Sequence, residues 1–219
     1  MPPSPFHIIR SLVGKPDGVI FDVGANLGQT TEVYRVLFDQ CLIHAFEPQV
    51  AMFAQLRHRL GNTERVFLNH AALGDTVGMA TLHQATHHES GSLLALNPGS
   101  WWAQSLDIRQ SGTETVAVDT IDHYCAERQI TEIDLLKLDV QGLEPECLRG
   151  AQTLLSKRGI RVIQAELIYH ALYERTTRFI DVERLLDPYG YRLYTIFDVR
   201  IGDDNGELLN LDAVFLPIP

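Results

Sequence analysis

Apolar and polar positions follow a repeating order along this chain, in which short apolar runs alternate with longer amphipathic stretches. The short runs are rich in β-branched and aromatic residues and end at polar or glycine-containing turns, which is typical of buried parallel strands. The predicted strands of this kind are 18–23, 41–46, 65–70, 133–138, 161–167, 191–197 and 211–216. The stretches between them have helical spacing, so the pattern predicts an α/β fold.

Amphipathic helices are predicted between most of these strands, at about 29–38, 50–60, 120–129, 145–157 and 179–186. A short helical lead within residues 1–17 precedes the first strand. The last two strands are joined by a glycine-containing turn at 202–206, which is too short for a helical crossover, so we expect an antiparallel hairpin there. The chain, 1–219, is expected to form a single domain.

The segment 76–118 interrupts the alternation and is predicted to be an insertion. It contains two short predicted strands, 79–83 and 113–118, separated by a polar loop with adjacent tryptophans, Trp101 and Trp102. A long insertion beside a binding site is a candidate lid or acceptor-recognition element. The tryptophans either stack on a substrate or pack the insertion onto the domain.

Composition and charge narrow the class of partner. Of the 219 residues 45% are hydrophobic, enough to bury a sizeable core without disulfides. The formal net charge is −10 and the 18 lysines and arginines are scattered. Duplex nucleic acid and anionic membranes both require a concentrated basic face, so neither is an expected partner. We expect a small-molecule or glycan partner instead.

Cysteine usage and the N-terminal residues predict a compartment. Cys41, Cys125 and Cys147 are odd in number and lie in apolar or helical surroundings, which favours reduced thiols. The N-terminal residues have no basic region leading into an apolar segment, as a secretory signal would. No apolar run reaches the length that spans a bilayer. We therefore expect a cytoplasmic protein without a membrane span.

A ligand site is predicted where the first strand ends, at the pattern Asp22-x-Gly24-x-x-x-Gly28. A strand, a glycine turn and a helix in this order form the first half of a βαβ nucleotide site. A dinucleotide fingerprint would need one more glycine, and an acid in the turn would repel a pyrophosphate. The acid suits a ligand that carries an ammonium and a sulfonium group, such as S-adenosylmethionine. The expected contacts with this cofactor are Asp22, Gly24, Ala25, Asn26 and Gly28.

The ends of the next two predicted strands extend this site. Glu47 follows Gly28 by 19 residues, where an acid commonly binds the ribose hydroxyls of a nucleotide, and Pro48 opens the next helix. The alternative for Glu47 is a contact with the dipole of that helix. After the third strand, Asn69, His70 and Ala71 are candidates for contact with an adenine ring; the polar pair equally suits capping of its own turn.

Five segments, in order, resemble one known family. They are 21–28 (FDVGANLG), 46–48 (FEP), 71–75 (AALGD), 118–122 (VDTID) and 134–142 (DLLKLDVQG), the last followed by 148–151 (LRGA). Together they resemble the FkbM-type S-adenosylmethionine-dependent methyltransferases from about residue 18 onward. Gln141 departs from the pattern, because many members carry glutamate there.

The resemblance implies a Rossmann-like class I methyltransferase: a seven-stranded, mostly parallel sheet with a final antiparallel strand and helices on both faces. It also implies methyl transfer to oxygen, commonly a hydroxyl of a sugar, glycan or natural-product scaffold. Residues Asp22 to Gly28 would hold the methionine part of the cofactor and Glu47 the ribose. Asp139 would lie near the reacting methyl group.

Three polar residues at predicted strand ends are candidates for catalysis. A hydroxyl acceptor must lose its proton, so a base or a metal ion is expected. Asp139 is the first candidate base, followed by Glu166 and His170. Asp139 and Glu166 lie at neighbouring strand ends and alternatively share a divalent cation. Asp139 equally suits helix capping or cofactor positioning, and His170 suits a structural role.

Two other functions compete with a methyltransferase on the same sheet. A nicotinamide-dependent oxidoreductase is disfavoured by the missing glycine and by Asp22. A module that binds an adenosyl ligand without chemistry is disfavoured by the polar residues Asp139, Glu166 and His170.

Overall fold

The computed structural model describes residues 5–175, 177–202 and 206–218. The first four residues of the predicted lead and the centre of the predicted turn at 202–206 lie outside these ranges. The strands are β1 (Val19–Val23), β2 (Leu42–Phe46), β3 (Val66–Asn69), β4 (Ala72–Leu73), β5 (Gly78–Ala85), β6 (Gln110–Asp119), β7 (Ile133–Leu138), β8 (Ile160–Ile168), β9 (Tyr191–Ile201) and β10 (Leu208–Pro217). The α-helices are α1 (Pro5–Val13), α2 (Gln29–Leu37), α3 (Val50–Leu60), α4 (Trp101–Ser105), α5 (Ile121–Arg128), α6 (Glu144–Arg149), α7 (Gln152–Ser156) and α8 (Phe179–Leu186).

Seven strands form the central sheet, in the order β3-β2-β1-β7-β8-β10-β9. The pairs from β3 to β8 are parallel, whereas β10 runs antiparallel to both β8 and β9. This confirms the predicted mostly parallel sheet, its final antiparallel strand and the terminal hairpin. The strand order reverses between β1 and β7, and open α/β sheets bind their ligands at the carboxyl ends beside such a reversal.

The sheet is covered on both faces because its strands present alternate residues to opposite sides. Ile20 of β1 packs in a cluster with side chains of α1 and α2, whereas Phe21 and Val23 pack in a larger cluster with side chains of α5 to α8. In β7, Leu135 joins the first cluster and Leu136 the second. No helix within the described ranges is long and apolar enough to cross a membrane.

One predicted helix, 145–157, is broken into α6 and α7 in the structure. A Cβ atom on Gly150 would lie 2.1 Å from the backbone oxygen of Gly74, so the chain passes too close to its neighbour for any side chain. Gly150 is the C-cap residue of α6, where its backbone amide donates to the Glu146 backbone oxygen, and α7 begins at Gln152.

The predicted insertion forms a second sheet of its own, in the order β4-β6-β5. Both predicted strands are present and longer than expected, as the antiparallel pair β5 and β6. The segment between them includes α4, and Trp102 and Ala103 of this helix pack in a cluster with Ile168 and Leu172 near the end of β8. The insertion thus lies over the carboxyl end of the main sheet.

Candidate active site

A cleft of about 470 Å³ opens at the carboxyl ends of β1, β2, β7 and β8, beneath the insertion. Most of the predicted site residues line it: Gly24, Ala25, Asn26, Glu47, Pro48, Ala71, Asp139, Glu166 and His170. Asp22, Gly28, Asn69 and His70 are not among the lining residues. The structure therefore brings the glycine turn, the acid after β2 and the three candidate catalytic residues into one site.

The two glycines of the turn provide close backbone contacts within the protein. Both adopt positive φ, +83° at Gly24 and +86° at Gly28. A Cβ atom on Gly24 would lie 1.8 Å from the backbone oxygen of Asp139, and one on Gly28 would lie 2.7 Å from Leu56 of α3. Gly24 thus joins the end of β1 to the end of β7, and Gly28 packs α2 against α3.

Asp22 does not reach the cleft, contrary to our expectation of a direct ligand contact. Its carboxylate is fully buried, accepts a hydrogen bond from the Thr31 hydroxyl at 2.6 Å and pairs with the Lys137 ammonium at 3.3 Å. Lys137 lies on the neighbouring strand β7 and also donates to Asp139 at 3.1 Å. The charge of Asp22 is therefore balanced inside the protein by Lys137, and Lys137 in turn contacts Asp139 in the cleft.

Lys137 and Asp139 hold each other in their charged forms. Burial alone would lower the pKa of Lys137, but the carboxylates of Asp139 and Asp22 raise it overall. Burial would raise the pKa of Asp139, but Lys137 and hydrogen bonds from its neighbours lower it overall. Asp139 is therefore ionised at neutral pH and carries negative charge into the cleft.

Glu47 lies deep in the cleft at the end of β2. Its two oxygens accept hydrogen bonds from the backbone amides of Asn26, at 2.9 Å, and Gln49, at 2.8 Å. A carboxylate accepts about four hydrogen bonds, so lone pairs remain for a ligand. Burial raises the pKa of Glu47 to about 7, against the opposing effect of the two amides.

The segment after β3 contributes less to the cleft than predicted. The Asn69 side chain donates to the backbone oxygens of Ala45 and Phe67 and accepts from the Tyr124 hydroxyl. Its hydrogen bonds therefore stabilise this edge of the main sheet. His70 is exposed and stacks on Phe53. Of the three predicted adenine contacts only Ala71 lines the cleft, together with the next two residues of the chain.

Asp139 and Glu166 form a carboxyl pair at the ends of β7 and β8. The two groups lie close enough that each shifts the pKa of the other. The Gln141 amide nitrogen donates to both, at 3.0 Å to Asp139 and 3.1 Å to Glu166, and Asn210 donates to the other oxygen of Glu166 at 2.7 Å. Burial, followed by the charge of Asp139, raises the pKa of Glu166 to about 9. At neutral pH the pair thus carries one proton, on Glu166.

His170 lies on the insertion side of the cleft, nearly fully buried and beside Trp102, with ring centroids 5.3 Å apart. Its Nδ1 atom is buried and has no hydrogen-bond partner among the described residues. Burial lowers the pKa of His170 to about 4, so the imidazole is neutral and able to hydrogen-bond a ligand.

Sequence reasoning did not assign several residues of this site. Lys137 could be recognised as one of two charged residues, with Asp134, in an otherwise apolar buried strand, and a buried charge requires a partner. Gln141 was noted only as a departure from a family pattern, and Asn210 and Tyr173 come from distant segments without a recognisable motif. No group of three or more His, Cys, Asp or Glu side chains within the described ranges is arranged to hold a metal ion.

Comparison with known proteins gives one consistent result. The sequence matches the family described as the methyltransferase FkbM domain over residues 22–193. It is 30% identical to 2-O-methyltransferase NoeI of Sinorhizobium fredii (strain NBRC 101917 / NGR234), over 76% of this chain and 70% of that protein. It is also 30% identical to 31-O-demethyl-FK506 methyltransferase FkbM of Streptomyces tacrolimicus, over 70% of this chain and 66% of that protein.

The fold is likewise similar to that of solved methyltransferases. A crystal structure of 1,6-didemethyltoxoflavin-N1-methyltransferase from Burkholderia thailandensis, with bound 1,6-didemethyltoxoflavin and S-adenosylhomocysteine, superposes with a TM-score of 0.50. The two sequences are 14% identical, and the superposition covers 98% of this chain and 76% of the other. At this identity the likeness concerns the fold. These comparisons do not support the nicotinamide-dependent alternative.

Proposed function

Because the chain belongs to the FkbM methyltransferase family, we propose that it transfers the methyl group of S-adenosylmethionine to a hydroxyl oxygen of a small-molecule or glycan acceptor. One observation supports this most directly. A single cleft is lined both by an acid of the ribose-binding type, Glu47 at the end of β2, and by an ionised carboxylate, Asp139 at the end of β7. Such a cleft accommodates a nucleotide cofactor and a second substrate together.

The residues present fit this cofactor. Glu47 retains acceptor capacity for the two ribose hydroxyls, and the small side chains of Ala71 and Ala72 leave space for a flat ring beside Val140 and Leu143. Asp139 supplies the negative charge that favours a sulfonium and an ammonium group. We assign this last role to Asp139 because the Asp22 carboxylate is buried against Lys137 and Thr31.

When bound, S-adenosylmethionine supplies a methyl group on a sulfonium, and its transfer to a hydroxyl leaves a thioether and one proton. We assign the acceptance of that proton to the Asp139 carboxylate. The ionised form of Asp139 is held in place by Lys137 and Gln141, so it needs no rearrangement before it accepts. Glu166, protonated at neutral pH, acts as a hydrogen-bond donor to Asp139 and not as the base.

The acceptor is proposed to bind at the insertion end of the cleft. The lining of the cleft combines apolar side chains, including Trp102, Ile108 and Ile168, with polar ones, including Glu166 and Asn210. An acceptor with an apolar face and a hydroxylated edge matches this mixed lining. His170, with its unpaired Nδ1, is assigned a hydrogen bond to the acceptor.

Two further features support the nature of the acceptor and the compartment. The names of both relatives specify transfer to an oxygen position, and neither names a nucleic acid. The net charge of −10 also disfavours a nucleic acid. We further propose a cytoplasmic setting, because Cys41, Cys125 and Cys147 are free, buried thiols, as is usual in a reducing compartment.

Calorimetric titration with S-adenosylmethionine, S-adenosylhomocysteine and NAD tests the cofactor. We expect saturable binding of the two sulfur ligands and none of NAD. Glu47→Ala should weaken that binding, whereas Glu64→Ala, at a highly exposed site outside the cleft, should not. Binding of NAD, or of none of the three ligands, would contradict the proposed function.

A further inference from the structure

Gln141 sits in a turn that is fixed from several sides. The residue follows β7 and adopts φ of +57°, a left-handed conformation that is uncommon for a residue with a side chain. Within the turn, the Glu144 carboxylate accepts hydrogen bonds from the backbone amides of Val140 and Gly142. From the insertion, the Ser92 hydroxyl donates to the Gln141 backbone oxygen at 2.9 Å. The side chain of Gln141 is thus anchored at a set position in the cleft.

The Gln141 amide is also fixed in orientation. Its nitrogen donates to Asp139 and to Glu166, which uses both of its hydrogens. Its oxygen lies 2.8 Å from the hydroxyl of Tyr173, a nearly fully buried residue that can donate to it. The hydroxyl has one hydrogen and two acceptors within reach, this oxygen and, at 3.1 Å, the backbone oxygen of Ser90. With the amide reversed, its oxygen would face the ionised Asp139 carboxylate, so Asp139 selects the orientation that presents N–H groups to the carboxyl pair, and Tyr173 supports it at the shorter of its two distances.

We propose that Gln141 is a positioning residue for the proposed methyl transfer: its amide, which donates to both Asp139 and Glu166 and contacts the Tyr173 hydroxyl, holds the two carboxyl groups together as a pair. The role in the reaction rests on the proposed function, whereas the state of the pair does not. A neutral donor at this position stabilises the single negative charge on the pair without adding a charge of its own. A carboxylate at this position would add a second negative charge beside that of the pair, and an apolar side chain would leave both carboxyl groups without their shared donor.

Other ionisable groups lie around the same pair and affect the pH at which it titrates. They are Lys137 on β7, Asp212 on β10, Arg200 on β9, Glu47 after β2, Glu144 on α6, Tyr173 after β8 and, through Lys137, Asp22 on β1. Burial raises the pKa of Asp212 to about 6 and that of Glu144 to about 7. Because these groups are unchanged in variants at position 141, any shift in the pair reports on the amide.

Carbon-13 NMR of protein labelled at the Asp and Glu carboxyl carbons tests the proposal without any acceptor. Glu166→Gln and Asp139→Asn identify the two resonances. In the wild-type protein we expect the Glu166 resonance to titrate far above the ordinary glutamate range near pH 4.3. Gln141→Glu and Gln141→Leu should each raise that midpoint by about one unit or more, since one adds a like charge and the other removes a donor.

Tyr173→Phe keeps the amide but removes the hydroxyl that supports its orientation, so it should raise the Glu166 midpoint by a smaller amount; this variant preserves the test if those at position 141 fail to fold. Gln104→Glu, which adds an acid on the exposed face of α4, should leave the midpoint unchanged. A Glu166 midpoint in the ordinary range, or one that Gln141→Glu and Gln141→Leu do not move, would overturn the proposal. Neither result depends on methyl transfer, so loss of cofactor binding in the calorimetric test would count against the function alone.

Discussion

Replacing Lys137 with methionine removes the cation that pairs with both Asp22 of β1 and Asp139 after β7. Lys137 is buried between Asp22, which is fully buried, and Asp139, so the variant leaves two carboxylates without their counter-ion. Removing one partner of a buried ion pair typically costs about 3–5 kcal/mol of stability. The Asp139 side chain is 32% exposed, which lets water screen its charge, so we place the loss near the lower end, at about 3 kcal/mol.

For a domain of this size, each kcal/mol lowers the melting temperature by about 2–4 °C, so Lys137→Met should melt about 6–12 °C below the wild-type protein at pH 7. Circular dichroism melts provide the measurement. The matched control is Arg59→Met, which removes an ion pair with Glu32 in which both side chains are more than a third exposed. Exposed pairs contribute about 0–1 kcal/mol, so this control should melt close to the wild type.

The effect of pH gives a second, independent check. Lys137 lowers the pKa of Asp139 in the folded protein, so this pair adds stability above the unfolded pKa of about 3.9 and loses it as the pH falls through the folded value. In Lys137→Met the unpaired carboxylates take up protons more readily, and the variant loses less stability on acidification. The difference in melting temperature should therefore narrow between pH 7 and pH 4. A difference below about 2 °C at pH 7, equal to that of Arg59→Met, would refute the ion-pair reasoning.

Three further predictions concern the cleft. Asp139→Asn should lower methyl transfer about 100-fold or more in a radiolabel assay, because the proton acceptor is lost. Its affinity for S-adenosylhomocysteine, measured by calorimetry, should fall much less, since only the attraction between the Asp139 charge and the ammonium group of the ligand is removed; equal losses would leave Asp139 with a cofactor-binding role alone. The affinity for S-adenosylmethionine should fall from pH 8 to pH 6 because protonation of Glu47, with its pKa raised to about 7, removes an acceptor, and Glu47→Gln should abolish that dependence. Trp102→Ala should raise the acceptor KM in steady-state kinetics, whereas Trp101→Ala, outside the cleft, should not; equal effects would place the acceptor elsewhere.

Most strands and helices were predictable because the signals that mark them, apolar runs and turn residues, lie within a few residues of each element. Short apolar runs that end in glycine or acid were assigned to strands within a few residues of their bounds, and the short final connection required a hairpin. Gly24 and Gly28 were correctly placed in a turn. Both adopt positive φ, a backbone conformation that strongly favours glycine, so the residue type itself indicates the turn. The break between α6 and α7 was not predicted. Gly150, at the break, packs against the backbone of Gly74 on a distant segment, and no local pattern reveals that contact.

The environment of each site residue was less predictable, because it depends on strand register. Glu47 and Asp139 were expected at the mouth of the sheet and lie there. Asp22 was expected beside them, but residues that alternate along a strand face opposite ways, and parallel pairing sets Asp22 directly opposite Lys137. The protonation of Glu166 likewise follows from its burial and the approach of Asp139, and no local motif encodes either.

The two ends of the insertion lie side by side: Leu73 pairs with Asp119 across β4 and β6, and the Gly74 amide donates to the Asp119 backbone oxygen at 2.9 Å. A segment that leaves and re-enters a domain at one point is a cassette, exchangeable without moving the strands that carry the cofactor cleft. On the proposed function, acceptor preference changes by replacement of residues 78–118. A replacement must keep the contacts that link this segment to the rest of the domain, among them the hydrogen bond from the Ser92 hydroxyl to the Gln141 backbone oxygen and the packing of Trp102 and Ala103 against Ile168 and Leu172.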